Sequence, residues 1–436
     1  MRAVLTNLGS MGDIQPLIAL ARELKENGHD PVLVLAPLFS SHAEQAGIEF
    51  SPIGWDLDYA RLQRKDTEDA LKGVDPVNSF RDSLSKLAAM LPQMLEELQR
   101  ACHDADVLIS GHLQPASLML HELTDIPFVS VHMNHFGGKQ PDIFRREAAG
   151  VINVFRARYG LPPITDPFHV DANSPQLALY AISRYLRPAS EDWPPHYRVI
   201  GFFFLETAGS VPDPELAEFI AKGERPVVIT FSSIAHPDPK ATTALLLKAI
   251  EQAGCRAVIQ QGWSGLAKNG ALPERVLGAS FIQHTSLFPQ SACVVHAGGA
   301  GTTAAALRSG VPSVIVPHIG DQPLWAELVH GLGCAGGVVP FAELTAAKLA
   351  TAVQKTLNDQ RLYARAAEVG EKIRAEQGVS RARSLVERLV ADCANASGQA
   401  GVFRAAARKT RQNRLRFKRS PLRAYGSERH EERKNP

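Results

Sequence analysis

The residues best equipped for chemistry lie at His296-Ala297-Gly298-Gly299-Ala300-Gly301-Thr302-Thr303, between an apolar run and a helix-forming stretch that Gly310 closes. Glycines let a backbone approach a ligand closely and take positive φ. A helix starting near Gly301 offers unpaired N–H groups and about half a positive charge to an anion. Gly298, Gly299 and Gly301 give the approach, Thr302 and Thr303 add hydroxyl donors, and His296 at the strand end can donate to a phosphate. Such a turn suits a departing diphosphate, whose negative charge grows as its bond breaks. Tight packing alone also produces glycine turns, so the reading leans on the histidine, the threonines and a second element downstream. That element is Asp321-Gln322-Pro323-Leu324-Trp325, directly after another apolar run. Asp and Gln side chains can each make two hydrogen bonds to polyol hydroxyls. A helix N-cap would account for Asp321 but not for the whole cluster.

These residues need a scaffold, and the apolar periodicity supplies one. Ala3–Asn7 reads as a strand followed by a Gly/Ser turn and a helix, with Leu17, Leu20, Ala21 and Leu24 on one face. Pro31–Leu35, Val107–Ser110, Pro127–Val131 and Leu177–Ile182 are further strands, with a helix at Pro76–Ala101. A second series has strands at Val227–Phe231, Arg256–Gln260, Ser280–Ile282, Cys293–His296 and Ser313–Pro317. Its helices are Pro239–Ala253, Gly301–Arg308, Pro323–His330 and Thr345–Leu357, and a long one at Gln360–Asp392 is interrupted near Gly370 and Gly378. Strands alternating with helices predict parallel sheets covered on both faces. Two such series predict two doubly wound domains, joined by the Gly- and Pro-containing segment 206–224.

Bulk properties agree. The 436 residues exceed one comfortable core, and 45% hydrophobic with 21% charged residues is globular composition. No apolar run approaches a membrane span and the start of the chain has no signal-peptide pattern, which predicts a cytoplasmic protein. The five cysteines form no C-x-x-C pair, so neither a disulfide framework nor a zinc site is expected. Net charge is +2, but 404–436 holds 12 Lys and Arg against 3 Asp and Glu, leaving −7 on the rest. The segment 396–436 therefore reads as a basic, weakly ordered tail. Its run Arg404–Arg423 suits either a weak hold on anionic lipid or a solvated appendage, and no specific nucleic-acid contact is expected.

Together Gly9-Ser10-Met11-Gly12-Asp13-Ile14-Gln15-Pro16, Gly262-Trp263-Ser264-Gly265-Leu266, His296–Gly310 and the Asp321–Trp325 cluster carry a resemblance. The chain resembles GT-B glycosyltransferases of the family-1 type, nearest the branch of sterol glucosyltransferases and antibiotic glycosyltransferases. The likeness runs over roughly residues 1–395. It implies an α/β fold of two Rossmann-like domains, with 1–205 binding acceptor, 206–224 linking, and 225–395 binding nucleotide sugar in a cleft between them. It also implies that Gly262 and Trp263 cover the base and that His284 and Leu287 flank the nucleoside. By the same likeness Ser232 and Ser233 join the glycine turn and His296 around the pyrophosphate, and Asp321 and Gln322 bind the sugar. Many members carry a ribose-binding glutamate where this chain has Ala304, which leaves UDP or dTDP open as the nucleotide.

The first motif supplies a candidate base. Asp13 opens a helix after the Gly-Ser-Met-Gly turn, where relatives often have a histidine working with a distant aspartate. Here Ser110 and His112 stand in place of a clear aspartate partner. Asp13 either takes the acceptor proton or caps its helix. Gly12, His112, His132 and His135 are placed at the acceptor pocket, with Phe136, Ile143, Phe144, Val151 and Phe155 as either its apolar walls or ordinary core. The expectation is an inverting hexosyltransferase that moves sugar from UDP- or dTDP-sugar to the hydroxyl of a lipophilic acceptor such as a sterol, terpenoid, polyketide or lipid. No metal and no cofactor beyond the co-substrate is expected. A nucleotide-sugar epimerase and a non-catalytic nucleotide-sugar-binding relative are the alternatives.

Overall fold

The computed structural model describes residues 1–56, 61–62, 65, 68–69, 74–133, 142–168, 170–205, 214–231, 234, 236–262, 265–268, 270–280 and 282–399, with side chains to 396. Ser232, Ser233, Trp263, His135, Phe136 and the basic tail lie outside the described residues.

Two all-parallel sheets form the scaffold. In the first, β1 (Arg2–Thr6), β2 (Asp30–Leu35), β3 (Glu49–Pro52), β4 (Val107–Gly111), β5 (Phe128–His132), β6 (Leu177–Tyr180) and β7 (Tyr197–Val199) run in the order β3-β2-β1-β4-β5-β6-β7. In the second, β8 (Val227–Thr230), β9 (Ala257–Gln260), β10 (Val276–Ala279), β11 (Cys293–His296), β12 (Ser313–Ile315) and β13 (Ala335–Val338) run in the order β10-β9-β8-β11-β12-β13. Each sheet winds outward in both directions from its first strand. The strand order therefore reverses between β1 and β4, and again between β8 and β11. Open α/β sheets bind ligands beyond the carboxyl ends of the strands at such reversals. The topology alone thus selects the turns after β1, β4, β8 and β11.

Helices cover both faces because their apolar stripes match the periods read from the sequence. Leu17, Leu20, Ala21 and Leu24 of helix Met11–Glu26 are all buried against the first sheet. The helices Pro76–Ala101 and Pro239–Ala253 occupy the expected residues. Three differences from expectation stand out. The strand expected at Ser280–Ile282 is β10, four residues earlier, where Val276 and Leu277 supply the buried side chains. Strand β13 gives no apolar signal because it reads Ala-Gly-Gly-Val. Its glycines are required by packing: a Cβ at Gly336 would overlap Thr356 and one at Gly337 would lie 2.9 Å from Ala352 Cβ, both on helix Ala346–Asn358. The linker segment contains a helix, Pro214–Ala221, whose Leu216 packs in the second domain.

The chain crosses twice between the domains, and the crossings touch. A Cβ on Gly378 would lie 2.5 Å from the carbonyl oxygens of Gly201 and Phe202, while Gly201 takes φ +100°. Buried Glu376 bridges them, its Oε1 accepting the Arg184 N–H at 3.0 Å. The long C-terminal helix breaks at 375–377, beside Gly378 as expected, and runs unbroken through Gly370, giving Gln360–Arg374 and Gly378–Gln399. Its last part returns to the first domain, where Ala382 and Val386 join the core and Arg383 pairs with Glu23. A third apolar cluster spans the interface, combining Tyr180, Ile182 and Phe202 with Ala304, Leu307 and Trp325. No helix among the described residues is long and apolar enough to cross a membrane.

Candidate active site

The turn after β1 is built around two side chains. Asn7, wholly buried, accepts the Leu113 N–H at 3.3 Å through Oδ1 and donates through Nδ2 to the Asp13 carbonyl at 3.2 Å. It straps the end of β1 to the end of β4, and Gly111 must be glycine because a Cβ there would overlap the Asn7 amide. Sequence patterning gives Asn7 no weight. Its one visible signal is a polar residue immediately after an apolar strand. Asp13 occupies the third position of helix Met11–Glu26 and folds back over the turn, accepting from the Ser10 N–H at 2.9 Å and the Ser10 hydroxyl at 3.2 Å. Gly9, at φ +120°, is also constrained, since a Cβ would overlap the Asp13 carboxylate. Both bonds fall on Oδ2, and among the described residues Oδ1 receives none. Burial pushes the Asp13 carboxyl up to about 6, and the negative charge of Asp321 adds to the rise, while the Ser10 bonds oppose it. The group caps its helix and is also a carboxylate of raised basicity.

The turn after β11 has the same plan with different contents. Gly298 takes φ +86°, and a Cβ there would lie 3.0 Å from both the Gln322 carbonyl oxygen and Ile315 Cγ2. His296 is wholly buried and its Nδ1 accepts the Gly298 N–H at 3.1 Å. That bond occupies the Nδ1 lone pair, so the neutral ring carries its hydrogen on Nε2. Burial, with neighbouring His284, holds the ring neutral by lowering its pKa to about 3. His296 thus braces the glycine turn through Nδ1, while its buried Nε2–H has no hydrogen-bond partner among the described residues and is the donor left for a ligand. Helix Ala300–Ser309 begins at Gly299 with no side-chain cap and no acidic residue in its first turn. Its first backbone amides have no acceptor within the helix. Nothing lies within 4 Å of a Cβ built at Gly299, so that edge is open, whereas Thr303 is wholly buried and points inward.

The two turns meet. A Cβ on Gly301 would lie 3.9 Å from Gly12 Cα, so the two helix N-termini face each other across the domain boundary. Asp321 and Gln322 flank this junction with part of their capacity already used. Asp321 Oδ2 accepts the Trp325 indole N–H at 2.8 Å, which accounts for the Asp-x-x-x-Trp spacing. Gln322, 7% exposed, accepts the His318 and Ile319 N–H groups at 2.7 and 3.1 Å through Oε1, so its Nε2 is the donor left for a ligand.

On the nucleoside side, Gly262 forms the turn after β9 with φ +54°, and Gln260 Nε2 donates to the Ile282 carbonyl at 2.6 Å. His284 stacks on Phe288 at 4.5 Å and is lowered to about 4 by burial. Leu287 is wholly buried, so it shapes this wall from behind. Ala304 belongs to the interface cluster with Trp325, while Ala305 packs beside Leu287 and Phe288. Neither alanine offers a carboxylate to a ribose. On the opposite domain, His112 follows β4 and lies over His132 with ring centroids 5.5 Å apart, and His132 stacks on Tyr180 at 4.8 Å. His132 is buried in that stack. Phe144 meets Phe80 edge to face at 4.9 Å, and Phe155 is core. Among the described residues no three His, Cys, Asp or Glu side chains are grouped to hold a metal ion.

With this geometry in view, the relatives are informative. Residues 3–136 match the family described as glycosyltransferase family 28 N-terminal domain, and residues 245–389 match the erythromycin biosynthesis protein CIII-like C-terminal domain. The O-mycaminosyltylonolide 6-deoxyallosyltransferase of Streptomyces fradiae is 30% identical over 89% of this chain and 97% of its own length. The sterol 3-beta-glucosyltransferase of Yarrowia lipolytica is also 30% identical over 87% of this chain, but the chain spans only 28% of that longer protein. In fold, the solved glycotransferase of kitacinnamycin superposes with TM-score 0.69 at 23% identity, covering 89% of this chain and 99% of the other.

Proposed function

The chain belongs to the GT-B glycosyltransferase family that these relatives define, and we propose that it moves a hexose from a UDP- or dTDP-sugar to a hydroxyl of a lipophilic acceptor with inversion. The opposition of Asp13 to the uncapped N-terminus of helix Ala300–Ser309 carries this reading. In it, the acceptor hydroxyl stands against Asp13 Oδ1, the oxygen free of the Ser10 bonds. As the hydroxyl oxygen attacks the anomeric carbon, its proton passes to Asp13 and the bond from that carbon to the diphosphate breaks. The electron pair leaves with the diphosphate, whose charge is met by backbone amides at Gly299, Gly301 and Thr302, while Gly298, its own N–H held by His296 Nδ1, shapes the turn. Ser232, Ser233 and the Thr303 region complete that cradle, with His296 holding its shape. Asp321 and Gln322 Nε2 orient the sugar, and Gly262, Trp263, His284 and Leu287 form the nucleoside wall. Gly12, His112, His132 and His135 form the acceptor side. Helix amides take the place a metal ion would otherwise fill, so the reaction runs without one.

The names of the relatives, a sterol 3-beta-glucosyltransferase and an O-mycaminosyltylonolide 6-deoxyallosyltransferase, support a lipophilic acceptor of the sterol or polyketide kind. The basic run after Arg404 adds a weak hold on anionic membrane, and the protein acts in the cytoplasm. An epimerase would need a base as well, so incubation with UDP-glucose alone separates the two: an isomerised nucleotide sugar would count against transfer. Incubation with UDP-glucose or dTDP-glucose, a 3β-hydroxysterol and a hydroxylated macrolactone should give a β-glucoside from the α-linked donor, read by mass spectrometry and NMR. A crystal soaked with UDP whose phosphorus atoms lay away from 298–303 would end this account.

A further inference from the structure

The first domain holds a narrow niche behind the end of β4, with room for little more than one water-sized group, between Ser110–His112, Gln114 and the Asp142–Arg158 helix. It borders Gly111, which the Asn7 strap joins to the Asp13 turn. One of its side chains is unfinished. Gln114 is 3% exposed and caps helix Pro115–Thr124, its Oε1 accepting the Ala116 N–H at 3.4 Å. The cap decides which way the amide faces: the oxygen must turn to the backbone N–H, so the nitrogen is the end turned away. That Nε2 is buried and has no hydrogen-bond partner among the described residues. A buried donor without an acceptor is costly, and native structures rarely leave one unanswered.

The other charges around the niche are already paired. Arg156, 1% exposed, is locked by Glu122 at 2.7 and 2.9 Å and by the Pro162 carbonyl at 2.8 Å, so its charge is answered within the wall. Asp171 Oδ2 is taken by the Thr165 N–H, the Thr165 hydroxyl and the Asp166 N–H. Phe128, Ile152 and Leu118 make the remainder apolar. An unanswered amide donor in an apolar frame whose charges are already paired selects an oxygen with a lone pair and no need to donate.

We propose that this niche is a specificity subsite for the acceptor, in which Gln114 Nε2 donates to a carbonyl oxygen at the end of the acceptor remote from the attacking hydroxyl. The favoured class is then oxygenated rings, such as keto-bearing polyketides and steroids, over sterols that end in a bare hydrocarbon. This rests on the glycosyl-transfer reading above.

The test uses the full chain with UDP-glucose or dTDP-glucose and two 3β-hydroxysteroids that differ only in a C17 ketone. The wild type should favour the ketone by about tenfold in kcat/KM, the worth of one buried neutral hydrogen bond. Gln114→Glu keeps an oxygen for the Ala116 N–H; assayed at about pH 9, where even a carboxyl raised by burial is ionised, it lacks the donor and should abolish or reverse that preference, at some cost in Tm. Gln114→Leu should also abolish it, at some loss of stability from the missing cap. Equal use of both steroids by the wild type, or a preference that survives in Gln114→Glu, overturns the subsite and leaves glycosyl transfer standing. Turnover of neither steroid, nor of the macrolactone above, counts against glycosyl transfer itself and removes the subsite with it.

Discussion

The turns after β1 and β11 share one design and use it in opposite ways. In both, a parallel strand at a reversal of strand order ends in a glycine of positive φ, and a helix starts a few residues later. Position by position, Ser10-Met11-Gly12-Asp13 answers to Gly299-Ala300-Gly301-Thr302, with glycine second in each helix and the two glycines opposed. The difference sits at the third position. In the first domain a carboxylate fills the helix N-terminus and satisfies its own turn. In the second a threonine stands there, no acid is present, and the amides and dipole remain for an anion from outside. One residue type, on one scaffold, separates a base from an anion cradle.

The largest effect is expected at the first turn. Asp13→Asn should lower kcat by about 10²–10⁴, the usual worth of general-base help. Its thermal stability at pH 8 should hold or rise. The sign follows from burial: the folded carboxyl lies near 6, above its unfolded value of about 3.9, so its contribution to stability is full below the unfolded value and lost as pH rises through 6. A variant that unfolds, or one with near-normal kcat, breaks the assignment.

Next, Thr302→Asp makes the second turn resemble the first. UDP affinity measured by calorimetry should fall at least about tenfold, since an acid inside the cradle repels diphosphate and competes for its amides. Unchanged affinity would place the phosphates elsewhere. A smaller effect separates the two turns electrostatically. The pH profile of kcat/KM should rise through about 6 as Asp13 ionises, and Asp321→Asn should move that midpoint down, because one of the charges opposing ionisation is removed. A midpoint unmoved by that change would mean the two carboxylates do not sense each other. The smallest effect concerns the gap itself. Gly12 is exposed and a Cβ there would meet nothing closer than Ser10 Oγ at 3.7 Å, so Gly12→Ala should stabilise the helix by up to about 1 kcal/mol. Its effect on kcat should stay within about tenfold, and a much larger loss would show that the two helix starts must close further than they stand here.

Much of this was legible before any coordinates. The periodicity of Leu17, Leu20, Ala21 and Leu24, the strand Cys293–His296 and the helices Pro76–Ala101 and Pro239–Ala253 are local properties, set by side-chain spacing along a few turns of chain. So is the glycine turn, because positive φ and an uncapped helix start need only adjacent residues. Strand β13 was illegible for the converse reason: its glycines answer to Thr356 and Ala352, not to neighbours in sequence.

The sequence by itself determined most of the elements, the alternation that makes both sheets parallel, and which turns carry glycine, acid or hydroxyl. Only the tertiary structure decided what those turns do. It set Gly12 against Gly301, raised Asp13 by burial and by the charge of Asp321, turned the Gln322 oxygen inward, tied His296 Nδ1 to its turn, and returned the last helix to the first domain's core. Burial and charge act through space, and the distances over which they act are fixed by packing rather than by position along the chain.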